Sequence, residues 1–206
     1  MKTKILLFLT ILSLMACSSD DTTTPQQKLP PATTTGANTF GCLIDGKVLL
    51  PRSGNTSQIN PLSGARLTGG YPSFDFDFLE LKIIDHKSTN GSTLFIHMHN
   101  AIENGTGNYV IDESNGFTSI DGLEHHYLYC DIYSTKTNSY QRYLSYNNSG
   151  NFTITRFTLG NENSGTIISG TFNCKVRNIN DSTDEIEITD GRFDINSLTV
   201  EFKYFP

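Results

Sequence analysis

The sequence predicts an all-β domain, and three observations predict it. Short runs rich in Val, Ile, Thr, Tyr and Phe alternate apolar and polar residues. These runs are separated by Asp-Gly, Asn-Gly and Ser/Asn-rich punctuation. No window carries a sustained 3.6-residue apolar period with capping residues. Short strands at this spacing form an antiparallel β-sandwich or a closed or partly open β-barrel, and the pattern leaves both open.

The strands follow in order. Residues 39–44 alternate Phe40, Cys42 and Ile44 with Thr39, Gly41 and Leu43, and Asp45-Gly46 turns the chain into 47–50. The run 74–84 is irregular. Phe74, Phe76 and Phe78 alternate with Asp75 and Asp77, and then Leu79, Leu81 and Ile83 take the opposite phase. One extra residue at Phe78-Leu79, a β-bulge, would reconcile the two phases. Asn90-Gly91 leads into 93–99, and a short strand is expected at 109–111 before Asn115-Gly116. Further strands are expected at 127–133, 142–146, 151–159 and 166–177. The last are 185–189 and 192–195, joined by an Asp190-Gly191 turn, and 198–205.

Ahead of this domain, Lys2 and Lys4 precede an apolar run too short to anchor in a bilayer, as in an export signal. Leu14-Met15-Ala16-Cys17 resembles a bacterial lipobox, which implies cleavage after residue 16 and acylation of Cys17. Ser18 after the cysteine resembles outer-membrane sorting, and the following Asp20-Asp21 resembles a surface-export signal. Residues 17–37 are rich in Thr and Pro and bury too little to order themselves, so they read as a flexible tether. The expected division is a signal peptide at 1–16, the acylated Cys17 and tether at 17–37, and one domain at 38–206. The net charge of −6, without a basic cluster, argues against a nucleic-acid partner. Membrane attachment is then expected through N-terminal acyl chains, several of them on one cysteine.

Besides Cys17, the cysteines are Cys42, Cys130 and Cys174. Each shares its strand face with large apolar neighbours, so all three are expected in the core as small hydrophobes. No CxxC spacing is present.

Two groups of residues are candidates for chemistry. His97 and His99 share one strand face, and with His125 or His126 and an oxygen from Asp112 or Glu113 they would approach a zinc set. The third ligand is not secured, so no stoichiometric zinc and no other cofactor is expected. The second group is His125, Tyr127, Tyr129, Asp131 and Tyr133, on the face opposite Leu128, Cys130 and Ile132, with Tyr140, Tyr143 and Tyr146 nearby in sequence. Such a face suits a saccharide or a protein, because tyrosine offers a broad ring and a polar tip. Its structural counterpart is cross-strand aromatic pairing. No GxSxG, HExxH, P-loop or GxGxxG motif occurs, and no catalytic residue is assigned.

Two blocks carry a resemblance. Asn38-Thr39-Phe40-Gly41-Cys42-Leu43-Ile44-Asp45-Gly46-Lys47-Val48 is similar to the opening of small Bacteroidetes-type surface lipoproteins of unknown function. Gly170-Thr171-Phe172 and Ile188-Thr189-Asp190-Gly191-Arg192-Phe193-Asp194 resemble their closing block. Leu49-Leu50 departs from the aromatic residue such relatives often carry there. The resemblance implies the fold and an outer-membrane, lipid-anchored location, and it implies no catalytic residue. The expected function is a non-enzymatic, surface-displayed domain binding a glycan, a small ligand or an envelope protein. The alternative is an envelope hydrolase using clustered carboxylates or a histidine-held metal.

Overall fold

A computed structural model describes residues 24–54, 62–69, 78–161 and 163–206. The lipobox, Cys17, Phe74, Phe76 and the signal peptide lie outside the described residues. The described chain is all-β. Ten strands, β1 (Thr39–Ile44), β2 (Lys47–Leu49), β3 (Ala65–Gly69), β4 (Phe78–Ile84), β5 (Thr93–His99), β6 (Gly107–Ile111), β7 (Tyr127–Ser134), β8 (Ser139–Thr158), β9 (Ile167–Asn178) and β10 (Asp181–Asn196), form one antiparallel sheet. Its order is β2-β1-β10-β9-β8-β7-β5-β4-β3, with β6 paired to β8 off this path. Among the described residues no helix is long and apolar enough to cross a membrane.

Period-two alternation sets the two faces of the sheet. Leu79, Leu81 and Ile83 of β4, Leu94, Ile96 and Met98 of β5, and Leu128 and Cys130 of β7 all point into one core. Phe172, Cys174 and Val176 of β9 join them from the other half of the sheet. The three cysteines are buried, as their strand phases predict, and all three are free. Burial alone raises the Cys42 thiol well above its ordinary value. It also raises Cys174, to about 12 against a smaller opposing effect of the Ser149 hydroxyl.

The sheet curls over this core without closing into a barrel. The chain leaving β2 reaches across to the far end of the strand order. There the Arg52 N–H donates to the Ile84 carbonyl at 3.1 Å, and the His86 N–H donates back to Arg52 at 3.0 Å. Ser53, 2% exposed, exchanges backbone and side-chain hydrogen bonds with Phe205. The C-terminal segment is therefore pinned through the buried Val200 and Phe205, with Leu198, Phe202 and Tyr204 exposed, and is not the strand expected at 198–205. Only a 3-10 turn, Val200–Phe202, forms there.

Several other expectations change. β3 was not foreseen. The runs 142–146 and 151–159 are one long β8, which pairs with β7 over its first half and with β6 over its second. A bulge between Ser145 and Gly150, where Asn148 takes φ 55°, separates the two halves. Asp190-Gly191 is likewise a bulge inside β10 and not a hairpin turn. A Cβ on Gly191 would lie 2.5 Å from the Phe172 ring, so a close approach of core to backbone demands glycine. Asp45-Gly46 does form the β1–β2 turn, with φ of 49° and 73°, the positive pair that a two-residue hairpin favours. At Phe78-Leu79 the pairing of β4 with β5 runs without interruption, so no bulge lies there. Phe78 shares the outer face with Glu80 and Lys82.

Among the described residues, two segments cover the outer face. The connection 112–126 folds over β4, β5 and β7. Residues 29–37, expected to be free tether, lie against β8, β9 and β10. The reason is a buried carboxylate. Asp194 accepts hydrogen bonds from the Thr33 and Ser169 hydroxyls at 2.7 Å each. It also accepts the N–H groups of Thr35, Gly36 and Ala37 at 2.9, 2.7 and 3.1 Å. Leu29 is buried, and Pro30 packs where a Cβ on Gly41 would come within 2.7 Å of its ring.

Candidate functional site

The outer face of β4, β5, β7 and β8 is a ladder of cross-strand rungs. In the first rung Glu80, His97 and Tyr127 stand opposite one another; in the second, Lys82, Phe95 and Tyr129; in the third, Ile84, Thr93, Asp131 and Arg142; in the fourth, Tyr133 and Tyr140. The aromatic-polar face read from the sequence therefore exists, but its environment changes along its length.

The first rung is closed. His97 is 3% exposed, with Nδ1 3.2 Å from Glu80 Oε1. Its ring stacks on Tyr127 at 4.5 Å and 8°, and on Phe78 at 5.4 Å. The 112–126 connection seals this layer. The Ser119 N–H donates to Glu80 Oε1 at 2.7 Å, and the Tyr127 hydroxyl donates to the Phe117 carbonyl at 2.9 Å. Burial, with a smaller push from the Glu80 carboxylate, raises the Tyr127 hydroxyl well above its ordinary value.

The second rung is packed rather than open. Tyr129 is buried and stacks on Phe95 at 4.5 Å and 16°. Lys82 lies 5.0 Å over Phe95, and the Arg142 guanidinium lies 5.0 Å over Tyr129. A stack with a cation on each outer side is a structural use of aromatic rings. At His97, Tyr127 and Tyr129 the face thus takes the cross-strand aromatic pairing that the sequence also allowed, in place of an open binding surface. The physical reason is the covering loop together with cross-strand stacking.

The histidines do not converge. His99 is half-exposed, and His125 Nε2 lies 2.8 Å from the Glu113 carbonyl oxygen. His126 sits edge-on to Phe152 at 4.9 Å, and its buried Nδ1 has no partner. Burial first, and then the neighbouring His99, His97 and His125, push its pKa down to about 4. Among the described residues no group of three or more His, Cys, Asp or Glu is arranged to hold a metal ion.

The third and fourth rungs are open, and here the face carries a cleft of about 570 Å³. Ile84, Asp85, His86, Gly91, Thr93, Asp131, Tyr140 and Arg142 line it. Arg142 Nε and Nη2 donate to the two oxygens of Asp131 at 2.7 and 2.9 Å. Asp85 is held in the same way by Arg52, with Nε to Oδ1 at 2.7 Å and a second contact from Nη2 to Oδ2. Partial burial pushes the Asp85 carboxyl up, but Arg52 and the N–H groups of Ser88 and Lys87 outweigh it, so its pKa lies below the ordinary value. Tyr140 projects into solvent at the rim, 53% exposed, edge-on to Tyr133 at 5.4 Å. A smaller hollow of about 250 Å³ lies between Asp112, Glu113, His125 and Asn147.

Of the residues read from the sequence, Asp131 lines this cleft and Tyr133 supports its rim residue Tyr140. Tyr127 and Tyr129 lie beneath the cover, and His125 faces the smaller hollow. Asp85, His86, Thr93 and Arg142 were missed. One signal could have found Arg142: folding 127–146 as a hairpin about Thr135–Asn138 sets Asp131 opposite Arg142, a favourable cross-strand charge pair. Chemically, the cleft offers hydrogen-bond acceptors and donors whose charges are already compensated, beside one exposed aromatic ring. Comparison with protein-family models, with curated proteins and with solved structures finds no match to this chain.

Proposed function

We propose that this chain is a lipid-anchored envelope protein, held at the outer membrane through an acylated Cys17 and displayed at the surface. Its β-domain is a non-enzymatic binding module. Its ligand is a neutral, hydroxyl-rich molecule of the saccharide class, taken in the cleft at the open end of the ladder.

The observation that carries this reading is the pairing of Asp131 with Arg142, repeated by Asp85 with Arg52. Each carboxylate is committed through both oxygens to a guanidinium. A carboxylate held this way is a fixed hydrogen-bond acceptor and a poor general acid, because proton donation at neutral pH needs a raised pKa. Charge compensation also gives an ionic ligand no net attraction. Hydroxyl groups, in contrast, pair well with fixed acceptors and donors, and Tyr140 adds a ring face for a sugar ring to lie on.

Calorimetric titration of the mature protein with neutral and acidic oligosaccharide panels tests the reading. A neutral glycan should bind, and Tyr140→Ala should weaken it about tenfold, equivalent to about 1.4 kcal/mol. Binding that Tyr140→Ala and Asp131→Asn both leave unchanged would sink the assignment of the cleft.

A further inference from the structure

We infer that residues 29–37 are a clamp that shortens the membrane leash and seats the β2 side of the domain against a lipid surface; the inference rests on the lipid-anchored reading above. The clamp grips backbone from both directions. Asp194 takes the amides of Thr35, Gly36 and Ala37 together with the Thr33 hydroxyl. From the other side, cations take carbonyls. Arg192 donates to Pro30 at 3.4 Å, Arg156 donates to Thr34, and Lys203 donates to Ala37 and Asn38 at 2.8 Å each. A carboxylate bound by several amides and hydroxyls in a buried setting resists release, because each donor left behind would be unsatisfied.

The consequence is one of length. If everything before Asn38 were free, the chain from Cys17 to Asn38 would reach at most about 75 Å at roughly 3.6 Å per residue. With 29–37 clamped, the chain passes through the Pro25–Lys28 turn, which lies against β2. From Cys17 to Thr24 it then spans at most about 25 Å. The anchor leaves the domain beside β2, so this end of the sheet is the one brought to the bilayer.

The test uses the acylated protein in vesicles of phosphatidylethanolamine and phosphatidylglycerol containing acceptor-labelled lipid. A single dye is placed at Lys47→Cys, an exposed position of β2. Energy transfer should be high, and a flexible insertion of about fifteen residues ahead of Thr24 should lower it at least about twofold by lengthening the leash. Asp194→Asn should lower it similarly, and so should Thr33→Val/Thr35→Pro, which leaves the buried carboxylate in place. Amide exchange at Gly36 and Ala37 should be slowed at least about a hundredfold relative to an open segment. Intact mass of the N-terminus separates the two readings. An unacylated Cys17 overturns the anchoring reading, and this inference with it. An acylated protein with fast exchange at Gly36 and Ala37, or with transfer unchanged in both clamp variants, overturns the clamp alone.

Discussion

Gly36 donates its backbone N–H to the buried Oδ1 of Asp194 at 2.7 Å, across 158 residues of chain. The Ser169 hydroxyl shares that oxygen, while Thr33, Thr35 and Ala37 take the other. A segment that composition marks as tether is thereby made part of the domain.

Acid should weaken this arrangement in a defined window. Burial pushes the Asp194 carboxyl up, but the hydrogen bonds of Thr33, Ser169, Ala37 and Gly36 dominate and hold its pKa down at about 2, from an ordinary 3.8. A depressed carboxylate stabilises the fold above its unfolded pKa, and the stabilisation is lost as pH falls through the folded one. Stability from this group should decline by about 2 kcal/mol between about pH 4 and pH 2. Asp194→Asn should lower stability by about 2–4 kcal/mol at neutral pH and flatten that part of the profile. Urea melts over a pH series check both; an Asn variant with wild-type stability contradicts them.

Two tyrosines on this face, one buried and one at the open rim, should separate cleanly. Tyr129→Ala removes a ring 3% exposed and stacked on Phe95, and should cost roughly 3–5 kcal/mol. Tyr140→Ala removes a rim ring 53% exposed and should stay within about 1 kcal/mol. Equal losses in denaturant melts would mean that the covered and open ends of the ladder are not distinct.

His126 should remain neutral in mildly acid solution. Its pKa is pushed down to about 4 from 6.5, chiefly by burial and then by its histidine neighbours. Between these values the unfolded chain binds a proton that the folded chain refuses, so stability should fall as pH drops from about 6.5 to 4. Imidazole proton shifts followed by NMR give the pKa directly. A His126→Phe variant should lose that part of the pH dependence, and a midpoint near 6.5 for His126 would refute the assignment.

The thiols of Cys42, Cys130 and Cys174 should be inert in the native state. All three are buried, and burial raises each above its ordinary pKa, which suppresses the reactive thiolate. A bulky maleimide should label them only after denaturation. Rapid native labelling of any two would contradict the core-facing phases of β1, β7 and β9.

By itself, the sequence determined the class of the fold and the phase of its strands. Leu128 and Cys130 point inward and Tyr127, Tyr129 and Asp131 outward because side chains alternate along a strand, and alternation is visible in one dimension. It also carried the three core cysteines and the turn at Asp45-Gly46. Only the tertiary structure decided what lies on the outward face. Register set Asp131 against Arg142 and His97 between Glu80 and Tyr127, and pairing partners are not written in either strand alone. The two bulges read in sequence as loop and turn, because Asn148 and Gly191 satisfy the backbone demands of either. The covering of Tyr127 by 112–126, and of Asp194 by 29–37, rests largely on backbone N–H and carbonyl groups. Every residue except proline has both, so they leave no signature in composition, and only the folded chain shows which of them meet.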